Sequence, residues 1–380
     1  MPNAAKTDLI VVGAGLAGSA AAWAASARGL SVVVLEAFEA GHRRGSSHGS
    51  ARIFRHAYPV PLYVRMMSRA LNRWRQLQDV AGEPLIKFTG ELDYGPVRDP
   101  EGLHAVLTAC GVRASLLSPG EATEQWPGFA FGPGTGPVMH HPEAGVLDPD
   151  RAMAAMLRLA GDRGAEVRFG VPAERIALGP GSGATVHTSS GSWTASVVVV
   201  TPGPWIAPLL SGLVELPPLK VTQQQVFHFA PVRTPVAGDA PWPTFIYQGA
   251  ADFFYGLPGG RDGEVPGAIK LGEMTDGAVT TADDRDFTVA PEARAHAIRF
   301  TERFLPGLHS TPVNEATCLF TSTASEDFIL DRAGPLVISS ACSGHGAKFA
   351  PLIGEILAGL ATGKPSPEPR FTLEAHLTGP

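Results

Sequence analysis

Near the start of the chain, a short apolar run leads into a glycine-rich turn and then into an alanine-rich segment. Residues 7–12 (Thr-Asp-Leu-Ile-Val-Val) predict a buried parallel strand, because they form a β-branched run that ends at a glycine. Residues 16–28 contain no proline and predict a helix, and residues 31–35 predict a second strand. A strand, a crossover helix and a second strand within about 30 residues indicate an α/β fold with a parallel sheet.

The turn in this unit has the spacing of a dinucleotide-binding fingerprint. Gly13, Gly15 and Gly18 follow the first strand, and Glu36 ends the second. Glycines let the backbone approach a pyrophosphate, the helix N-terminus supplies N–H donors, and Glu36 can accept hydrogen bonds from ribose hydroxyls. The alternative is a glycine-rich turn without a ligand. The motif predicts a bound dinucleotide and does not by itself separate NAD from FAD.

The composition narrows the class of protein. The chain has 380 residues, which suggests two domains or one large α/β domain with an insertion. Its formal net charge of −6 argues against a general nucleic-acid binder, which needs a basic surface. Hydrophobic residues make up 44% of the chain, which is enough for a substantial core.

Neither the apolar runs nor the cysteines indicate a membrane or secreted protein. No stretch reaches the ~18 uninterrupted apolar residues of a membrane span, and the fingerprint glycines interrupt the only run that could pass for a signal peptide. Cys110, Cys318 and Cys342 are too few and too scattered for a disulfide framework. We therefore expect a cytoplasmic protein with no membrane partner.

A loop rich in glycine, serine and histidine follows the second strand and ends in a pair of arginines. Arg52 and Arg55 lie three residues apart, beside His48 and His56, in an otherwise lightly charged chain. The planar guanidinium group is the usual partner of a carboxylate in proteins, since it can donate two parallel hydrogen bonds. The alternative is a solvated basic loop. This loop is a candidate site for an anionic substrate group.

A second glycine-rich turn lies near the end of the chain. Residues 343–349 (Ser-Gly-His-Gly-Ala-Lys-Phe) stand between a predicted strand at 336–340 and a predicted helix at 348–362. Lys348 opens that helix, where a cation opposes the helix dipole, so a bound anion would explain its position. The alternative is an exposed lysine that points away from the turn.

Four separated segments together resemble a known family. They are the N-terminal fingerprint, residues 47–58 (Ser-His-Gly-Ser-Ala-Arg-Ile-Phe-Arg-His-Ala-Tyr), residues 267–272 (Gly-Ala-Ile-Lys-Leu-Gly), and the region from Cys318 to the second glycine turn. In order and type they resemble the monomeric sarcosine oxidase and N-methyltryptophan oxidase family of FAD-dependent amine oxidases. The similarity extends over the full length of the chain.

The resemblance implies a cofactor and a set of residues that bind it. The cofactor is FAD, attached through an 8α-S-cysteinyl link at Cys318; the alternative for that residue is a buried apolar thiol. Val171 falls in the strand whose backbone holds the adenine. With the fingerprint included, the predicted cofactor-binding residues are Gly13, Gly15, Gly18, Glu36, Ser47, His48, Arg52, Val171, Cys318, Gly344, His345, Gly346 and Lys348.

The resemblance also implies roles in substrate binding and catalysis. Arg55 and Lys348 match the pair that clamps the substrate carboxylate, and Tyr255 matches an active-site tyrosine near the substrate. His48 and Arg52 match residues beside the flavin. Lys270 matches the lysine that promotes the reaction of reduced flavin with O2, where a fixed cation would stabilise developing superoxide.

One position departs from the family pattern. The segment Lys-Leu-Gly at 270–272 is commonly followed two residues later by a histidine that contacts substrate, and this chain has Met274 there. A methionine cannot titrate or donate a hydrogen bond as histidine does. The change suggests a substrate larger or more apolar than sarcosine. The alternative is that Met274 only packs.

These observations predict an FAD-dependent oxidation of a secondary amino acid, either N-methyl or cyclic. Hydride transfer to flavin gives the imine, and O2 is reduced to H2O2. One alternative is a flavin-dependent dehydrogenase or tailoring oxidase that acts on a biosynthetic amine. Alternatives of another class are a nicotinamide-dependent reductase and a non-catalytic flavin-binding protein. No set of histidines has the spacing of a metal site.

The predicted fold is a two-domain α/β (α+β) protein. A discontinuous Rossmann-like FAD-binding domain comprises residues 1–80, 150–215 and 312–380, and a substrate-binding domain with a mixed or antiparallel sheet comprises 81–149 and 216–311. The proline-rich last dozen residues predict an extended tail. The expected partners are a small amine or amino acid and O2, and the resemblance implies a monomer.

Overall fold

The computed structural model describes residues 7–132, 134–179, 183–234, 236, 241–275 and 277–378. Its helices are α1 (Leu16–Ser26), α2 (Pro61–Ala81), α3 (Pro100–Ala109), α4 (Pro119–Gln125), α5 (Pro149–Gly161), α6 (Ile206–Leu210), α7 (Pro291–Phe304), α8 (Ala350–Ala361) and α9 (Leu373–Thr378). Its strands are β1 (Thr7–Val12), β2 (Val32–Leu35), β3 (Arg52–Phe54), β4 (Ile86–Phe88), β5 (Glu91–Tyr94), β6 (Ser115–Leu117), β7 (Val138–His141), β8 (Gly145–Leu147), β9 (Glu166–Arg168), β10 (Arg175–Leu178), β11 (Ala184–Thr188), β12 (Gly191–Val200), β13 (Lys220–Pro231), β14 (Thr244–Gln248), β15 (Phe253–Pro258), β16 (Ile269–Glu273), β17 (Ala278–Val279), β18 (Leu308–Ser322), β19 (Ile329–Ala333) and β20 (Leu336–Ser340).

The first sheet is built around the predicted N-terminal unit. β1 pairs in parallel with β2 on one side and with β12 on the other, and β20 pairs in parallel with the second half of β12. The central strands are apolar along their length, as in Val32–Leu35, because helices cover both faces of a parallel sheet. β9 extends the sheet beyond β2, while β10, β11 and β19 add antiparallel strands.

Helix α1 packs against this sheet between α5 and α8. The crossing with α8 is close, since a Cβ placed on Gly354 would lie 2.3 Å from the carbonyl oxygen of Ala20. Only glycine allows the two helix backbones to approach this far. Helices α1 and α8 therefore pack side by side on the first sheet.

The second sheet contains nine strands in the described part of the chain and is mostly antiparallel. Its order is β17-β13-β16-β15-β14-β5-β7-β6, and β18 pairs along the other edge of β13. One parallel pair, β14 with β5, makes the sheet mixed. Its core is aromatic, with Phe227, Phe254 and Phe300 at most 2% exposed. The predicted mixed α/β class with a Rossmann-like first domain is confirmed.

A small third sheet, β3-β8-β4, carries the arginine loop beside the second sheet. The predicted division into two discontinuous domains remains a proposal. One strand crosses its boundary, since β18 contains residues 312–322 and pairs with β13 of the second sheet. Cys318 thus reaches the site on a strand of the second sheet.

The C-terminal tail is the clearest error of secondary structure. Residues 373–378 form α9 instead of an extended segment. The backbone N–H of Leu373 donates to Asp331 Oδ2 at 2.8 Å, and the ring of His376 lies 3.0 Å from the Phe328 carbonyl oxygen. Tertiary hydrogen bonds therefore hold a helical turn that local sequence does not indicate. Among the described residues, no helix is long and apolar enough to cross a membrane.

Candidate active site

Two cavities meet between the first and second sheets. The first has a volume of about 1130 Å³ and lies over the N-terminal glycine turn. The second has a volume of about 1390 Å³ and lies against the second sheet. His48, Arg52, Asp150 and Gly344 line both cavities, so these residues mark the junction.

The N-terminal turn has a shape that only glycine can adopt. Gly13 has φ +92°, and a Cβ there would lie 2.6 Å from the carbonyl oxygen of Thr201. A Cβ on Gly18 would lie 1.8 Å from the carbonyl oxygen of Gly13. No side chain caps α1 at Gly15, which lines the first cavity. Gly18 does not line the cavity, and its role is to let α1 pack on the turn.

Glu36 holds the turn in place from the end of β2. Its Oε2 accepts from the backbone N–H of Ala14 at 2.7 Å, and its Oε1 accepts from Phe38 at 3.1 Å. Burial disfavours its ionised form, but the hydrogen bonds from His42, Ala14 and Phe38 prevail and lower the pKa of Glu36. The carboxylate is therefore ionised at neutral pH at the wall of the first cavity.

The arginine loop folds around its own first arginine. The guanidinium of Arg52 donates to the carbonyl oxygens of Ser46 at 3.1 Å, His48 at 2.7 Å and Ala51 at 2.9 Å. Ser47 Oγ accepts from the Leu16 N–H at 3.1 Å, which ties the loop to the start of α1. The alternative of a solvated basic loop is therefore wrong for Arg52, which is committed to the loop backbone.

His48 is a neutral base at the junction. Burial, followed by the charges of Arg52 and Lys270, lowers the pKa of His48 to about 2. Its buried Nε2 has no hydrogen-bond partner among the described residues. A buried polar nitrogen without a partner is costly, so it is available to a group bound in the cavity.

Lys270 comes from β16 and is 6% exposed. Its Nζ lies 3.4 Å from the carbonyl oxygen of Ala51. Burial and the charge of Arg52 lower the pKa of Lys270 to about 7, although the carboxylate of Asp262 opposes them. Lys270 therefore gains or loses its proton near neutral pH.

Cys318 is the cysteine that faces the junction. It lies on β18, lines the second cavity and has its Sγ 3.8 Å from Nη2 of Arg52. Cys342 lines the first cavity, and burial raises the pKa of its thiol. Cys110 lines neither cavity. Cys318 therefore lies in the second cavity beside the Arg52 guanidinium.

Arg55 and Lys348 both lie close to the ring of Tyr58. The Arg55 guanidinium carbon lies 5.1 Å from the centre of the Tyr58 ring, and Lys348 Nζ lies 5.7 Å from it. All three side chains line the second cavity. Lys348 is only 5% exposed, so the alternative of a lysine that points away is wrong. The two predicted carboxylate ligands are brought together.

Glu91 holds Arg55 from behind. Its Oε1 lies 3.6 Å from Arg55 Nε, and its side chain is fully buried without lining the second cavity. Burial works against the guanidinium charge, yet Glu91 and Asp93 prevail and raise the pKa of Arg55. Arg55 is therefore a permanent cation that faces the cavity.

The second glycine turn forms a short 3-10 helix, Gly346–Phe349, before α8. Gly344 has φ +71°, and a Cβ on Gly346 would lie 1.7 Å from the Ala341 carbonyl oxygen. Gly344 and Gly346 line the first cavity, while His345 lines the second. The turn thus contributes to both cavities, and the helix proper begins two residues later than predicted.

Tyr255 lies on β15, and Met274 directly follows the adjacent strand β16. The Tyr255 ring packs over Gly272, where a Cβ would lie 2.3 Å from it, and burial raises the pKa of Tyr255 to about 12. Met274 lines the second cavity but is 41% exposed. It is therefore a residue of the cavity mouth.

Val171 is placed differently from the expectation. It lies in the irregular connection between β9 and β10, so its assignment to a strand is wrong. Its N–H donates to the Glu36 carbonyl oxygen at 2.8 Å, and its neighbours Phe169 and Pro172 line the first cavity. The connection borders the cavity, while Val171 itself supports the end of β2.

Sequence reasoning missed four polar residues of the site. Asp150 Oδ1 accepts from the Gly49 N–H at 2.9 Å, and Asp262 Oδ2 accepts from the Ser50 N–H, so two carboxylates brace the arginine loop. His228 and Glu91 are the other two. The strand Glu91–Tyr94 alternates acidic and apolar residues, but this pattern does not indicate the contact of Glu91 with Arg55.

A comparison with known families decides the class. Residues 8–360 match the family described as FAD dependent oxidoreductase. The chain belongs to this family. Within the described residues, no group of three or more His, Cys, Asp and Glu side chains could hold a metal ion.

The relatives of this oxidoreductase are amine and amino-acid oxidases by name. The monomeric sarcosine oxidase of Bacillus sp. (strain B-0618) is 33% identical over 369 residues, which cover 94% of this chain and 93% of its own. The N-methyl-L-tryptophan oxidase of Yersinia pestis (strain Pestoides F) is 32% identical over 369 residues, with 95% and 96% covered. The predicted resemblance and the predicted enzyme class are confirmed at the level of the family.

Solved structures support the same fold. NikD, described as an unusual amino acid oxidase essential for nikkomycin biosynthesis, has a TM-score of 0.84 at 26% identity, with 97% of each chain covered. The L-proline dehydrogenase of P. horikoshii has a TM-score of 0.85 at 21% identity, with 98% of each chain covered. The second comparison is one of fold alone.

The residues of the first cavity fit FAD. The Gly13 turn leaves a cradle that a Cβ would fill, the uncapped start of α1 faces the cavity, and His48 Nε2 lacks a partner at its junction with the second cavity. A dinucleotide needs N–H donors at its pyrophosphate and a polar contact at its reactive end. The FAD dependent oxidoreductase therefore has both ends of such a site.

Proposed function

We propose that this oxidoreductase converts a secondary amino acid, N-methyl or cyclic, to its imine. When bound, FAD accepts a hydride from a C–H bond beside the amine and then reduces O2 to H2O2. The observation that carries the proposal is the pair of buried basic side chains, Arg55 and Lys348, beside Tyr58 in the cavity that joins the cofactor site. Paired basic side chains of this kind suit a carboxylate.

Each residue of the site has a role in this proposal. Arg55 and Lys348 bind the carboxylate and so fix which C–H faces the junction. Tyr255, next to β16, forms part of the wall of the second cavity. His48 and Arg52 bind the reactive end of the cofactor at the junction. Lys270 is the cation that favours the reduction of O2.

We also propose that FAD is attached covalently to Cys318. The support is that Cys318 Sγ lies 3.8 Å from Arg52 Nη2 at the junction. Cys342 is the nearest alternative thiol of the site, but burial raises its pKa and so disfavours its thiolate. Cys318, in contrast, lines the second cavity beside Arg52.

The substrate in this proposal is larger or more apolar than sarcosine. Met274 supports it, since a flexible apolar side chain stands at the cavity mouth and is joined there by Phe287, which is 49% exposed. The relatives named as N-methyl-L-tryptophan oxidases also act on a bulky amino acid by their name. Within the proposal the protein is a cytoplasmic monomer, supported by three free cysteines and by the monomeric name of the sarcosine oxidases.

The test is anaerobic reduction of the purified yellow protein by a panel of amino acids. We expect N-methyl and cyclic amino acids to bleach the flavin absorbance, with the larger ones faster than sarcosine. Admission of O2 should restore the colour and give one H2O2 per turnover. Bleaching with slow recovery would indicate a dehydrogenase, bound flavin without bleaching would indicate a binding protein, and protein that stays colourless with added FAD would contradict the proposal.

A separate experiment tests the covalent link. We expect the yellow colour to remain with the protein after acid precipitation. Cys318→Ser should release it into the supernatant, because serine cannot form the thioether, whereas Cys342→Ser should retain it. Release of the colour from the wild-type protein, or its retention by Cys318→Ser, would show that Cys318 does not attach the cofactor.

A further inference from the structure

Lys348 differs from Arg55 in what its side chain contacts. Its Nζ donates to the carbonyl oxygen of His345 at 2.8 Å and to Tyr58 Oη at 3.2 Å. Both partners are uncharged, and the Nζ is buried. Arg55, in contrast, has the carboxylate of Glu91 behind it at 3.6 Å. Arg55 therefore has an acidic neighbour that stabilises its charge, whereas the hydrogen-bond partners of Lys348 are uncharged.

A directed chain of hydrogen bonds fixes the role of Tyr58. His345 Nε2 lies 3.0 Å from the carbonyl oxygen of Glu326, so this nitrogen carries the ring proton and donates. His345 Nδ1 is then an acceptor, and Tyr58 Oη–H donates to it at 3.1 Å. The Tyr58 oxygen is left with lone pairs, so it accepts from Lys348. Burial is the main reason that the pKa of His345 is lowered to about 3, and it keeps this chain neutral.

The number of acceptors matches a neutral amine. A neutral lysine has two N–H groups and one lone pair, and its two N–H groups are matched by His345 O and Tyr58 Oη. An ammonium has three N–H groups and would leave one without a partner in a buried place, which is costly. The third partner that an ammonium needs is what a bound carboxylate supplies.

The charges around Lys348 act in the same direction. The groups that face it are the Arg55 guanidinium, the phenol of Tyr58, the neutral ring of His345 and, through Arg55, the carboxylate of Glu91. Burial and Arg55 hold the pKa of Lys348 well below its ordinary value, and Glu91 only partly opposes them. A second negative charge beside Lys348 would reverse this balance.

We propose that Lys348 is neutral in the free protein and becomes an ammonium when a carboxylate binds, so that an amino-acid substrate supplies the proton from its own ammonium group. The inference rests on the proposed function, since it assumes that Arg55 and Lys348 bind the substrate carboxylate. An N–H bond of the substrate ammonium breaks and an N–H bond on Lys348 Nζ forms. No electrons are transferred, and the amine is left neutral with its lone pair free.

This step links binding to activation. A protonated amine cannot give up a hydride from the neighbouring carbon, because its nitrogen has no lone pair to stabilise the positive charge left on that carbon. The same event that seats the carboxylate therefore removes the proton that blocks oxidation. Lys348 acts as the proton acceptor of the bound zwitterion in addition to binding its carboxylate.

The experiment is a proton count by calorimetry with two probes of similar shape, using the FAD-loaded protein. Pivalate has a carboxylate and no amine, and α-aminoisobutyrate has an ammonium in place of one methyl group and no C–H bond beside nitrogen. Each is titrated at pH 7.5 in phosphate and in Tris, whose ionisation enthalpies differ. We expect pivalate to bind with uptake of about one proton and α-aminoisobutyrate with no net exchange.

Other mechanisms give other pairs of values. If Lys348 is always charged, pivalate takes up no proton, and α-aminoisobutyrate takes up none or releases one to solvent. Either result overturns the inference while leaving the carboxylate site intact. If neither probe binds, as judged by heat and by the flavin spectrum, the carboxylate site itself fails, and with it the proposed function.

Variants assign the proton to Lys348. Lys348→Arg keeps a permanent charge, so it should bind pivalate without proton uptake and with an affinity that does not change between pH 7 and 9. In the wild-type protein the affinity should fall about tenfold per pH unit over that interval. Lys364→Met, at an exposed lysine after α8, is the control and should keep the wild-type proton count. Unchanged uptake in Lys348→Arg would assign the proton to another group.

Discussion

Lys270 and His48 stand with Arg52 at the junction of the two cavities, and all three are basic residues. Burial and the neighbouring positive charges make His48 neutral and bring the pKa of Lys270 to about 7, while Arg52 donates its hydrogen bonds to the loop backbone. The positive charge of the junction at neutral pH therefore depends on the protonation of one residue. A lysine in this range can change its charge under conditions where the protein is folded.

The first prediction concerns that lysine. In Lys270→Met we expect the oxidation of reduced flavin by O2 to slow by about 10²–10³-fold, the typical loss when one electrostatic stabiliser is removed. Reduction by substrate should change far less. Because the protonated form is the active one, the wild-type rate with O2 should fall as pH rises through about 7. Stopped-flow measurement of the two half-reactions separates the effects.

Lys87→Met is the matched control, since Lys87 is an exposed lysine on β4. It should leave both half-reactions unchanged. If Lys270→Met reacts with O2 at the wild-type rate, the lysine has no part in that step. A loss confined to the substrate half-reaction would instead place it at the amine.

At the scale of elements, one glycine in α1 and one in α5 differ in how much room a side chain would have. Gly18 lies in α1, where a Cβ would meet the Gly13 carbonyl oxygen at 1.8 Å, and backbone atoms cannot move aside as a flexible side chain can. Gly161 ends α5 with no atom within 4 Å of the same position. Both positions are glycines within a helix, but they differ in the space available to a Cβ atom.

The second prediction follows from this contrast. Gly18→Ala should lower the free energy of unfolding by about 3 kcal/mol, the upper range for overpacking, and should reduce the fraction of protein that retains FAD. Gly161→Ala should leave FAD content unchanged and raise stability by at most about 1 kcal/mol. Urea unfolding and the ratio of flavin to protein absorbance measure both. Equal stabilities for the two variants would show that the turn adjusts to a side chain.

Local patterns correctly predicted the helices and strands for which the hydrophobic periodicity and the terminal residues indicate the same bounds. The helix expected at 348–362 is α8, Ala350–Ala361, and the strand, turn and helix at the N-terminus follow the sequence closely. The pairing of β13 with β18 could not be predicted, because it joins segments about 90 residues apart and depends on the packing between them. The tail helix failed for the same reason, since distant hydrogen bonds hold it.

At the scale of the whole molecule, the site gathers residues from separate parts of the chain. The resemblance placed Arg55, Lys270, Cys318 and Lys348 in one site, and the structure brings all four to the second cavity. No local pattern indicates Glu91 behind Arg55, because that contact depends on how the small third sheet lies against the second. Residues that contact a site residue without lining the cavity are the ones that the sequence is least able to predict.

Buried neutral histidines are a property of the whole fold. Burial is the largest cause in each case, and it lowers the pKa of His48 to about 2, of His56 to about 3, of His228 to about 4 and of His345 to about 3. The unfolded chain binds protons at these groups near pH 6.5, while the folded protein does not. Their contribution to stability is therefore complete above pH 6.5 and is lost as the pH falls toward the folded values.

The third prediction is a steep acid dependence of stability. We expect the free energy of unfolding to fall below pH 6.5, with a slope approaching ~1.4 kcal/mol per pH unit for each such histidine. His56→Asn should reduce that slope, because asparagine does not bind a proton in this pH range. Its amide can still donate to His141 Nε2, which lies 3.0 Å from His56 Nδ1 in the wild-type protein. His309→Asn, at an exposed histidine, should keep the wild-type slope. Urea unfolding between pH 5 and 8 gives the values; identical slopes in all three proteins would contradict the prediction.

The close crossing of α1 and α8 has a consequence for the order of synthesis. Gly354 of α8 packs directly on Ala20 of α1, which the ribosome makes 334 residues earlier. The face of α1 that α8 covers therefore stays open while those residues are synthesised. During that time α1 can pack on the first sheet and on α5, but its crossing with α8 forms only after synthesis has passed Gly354.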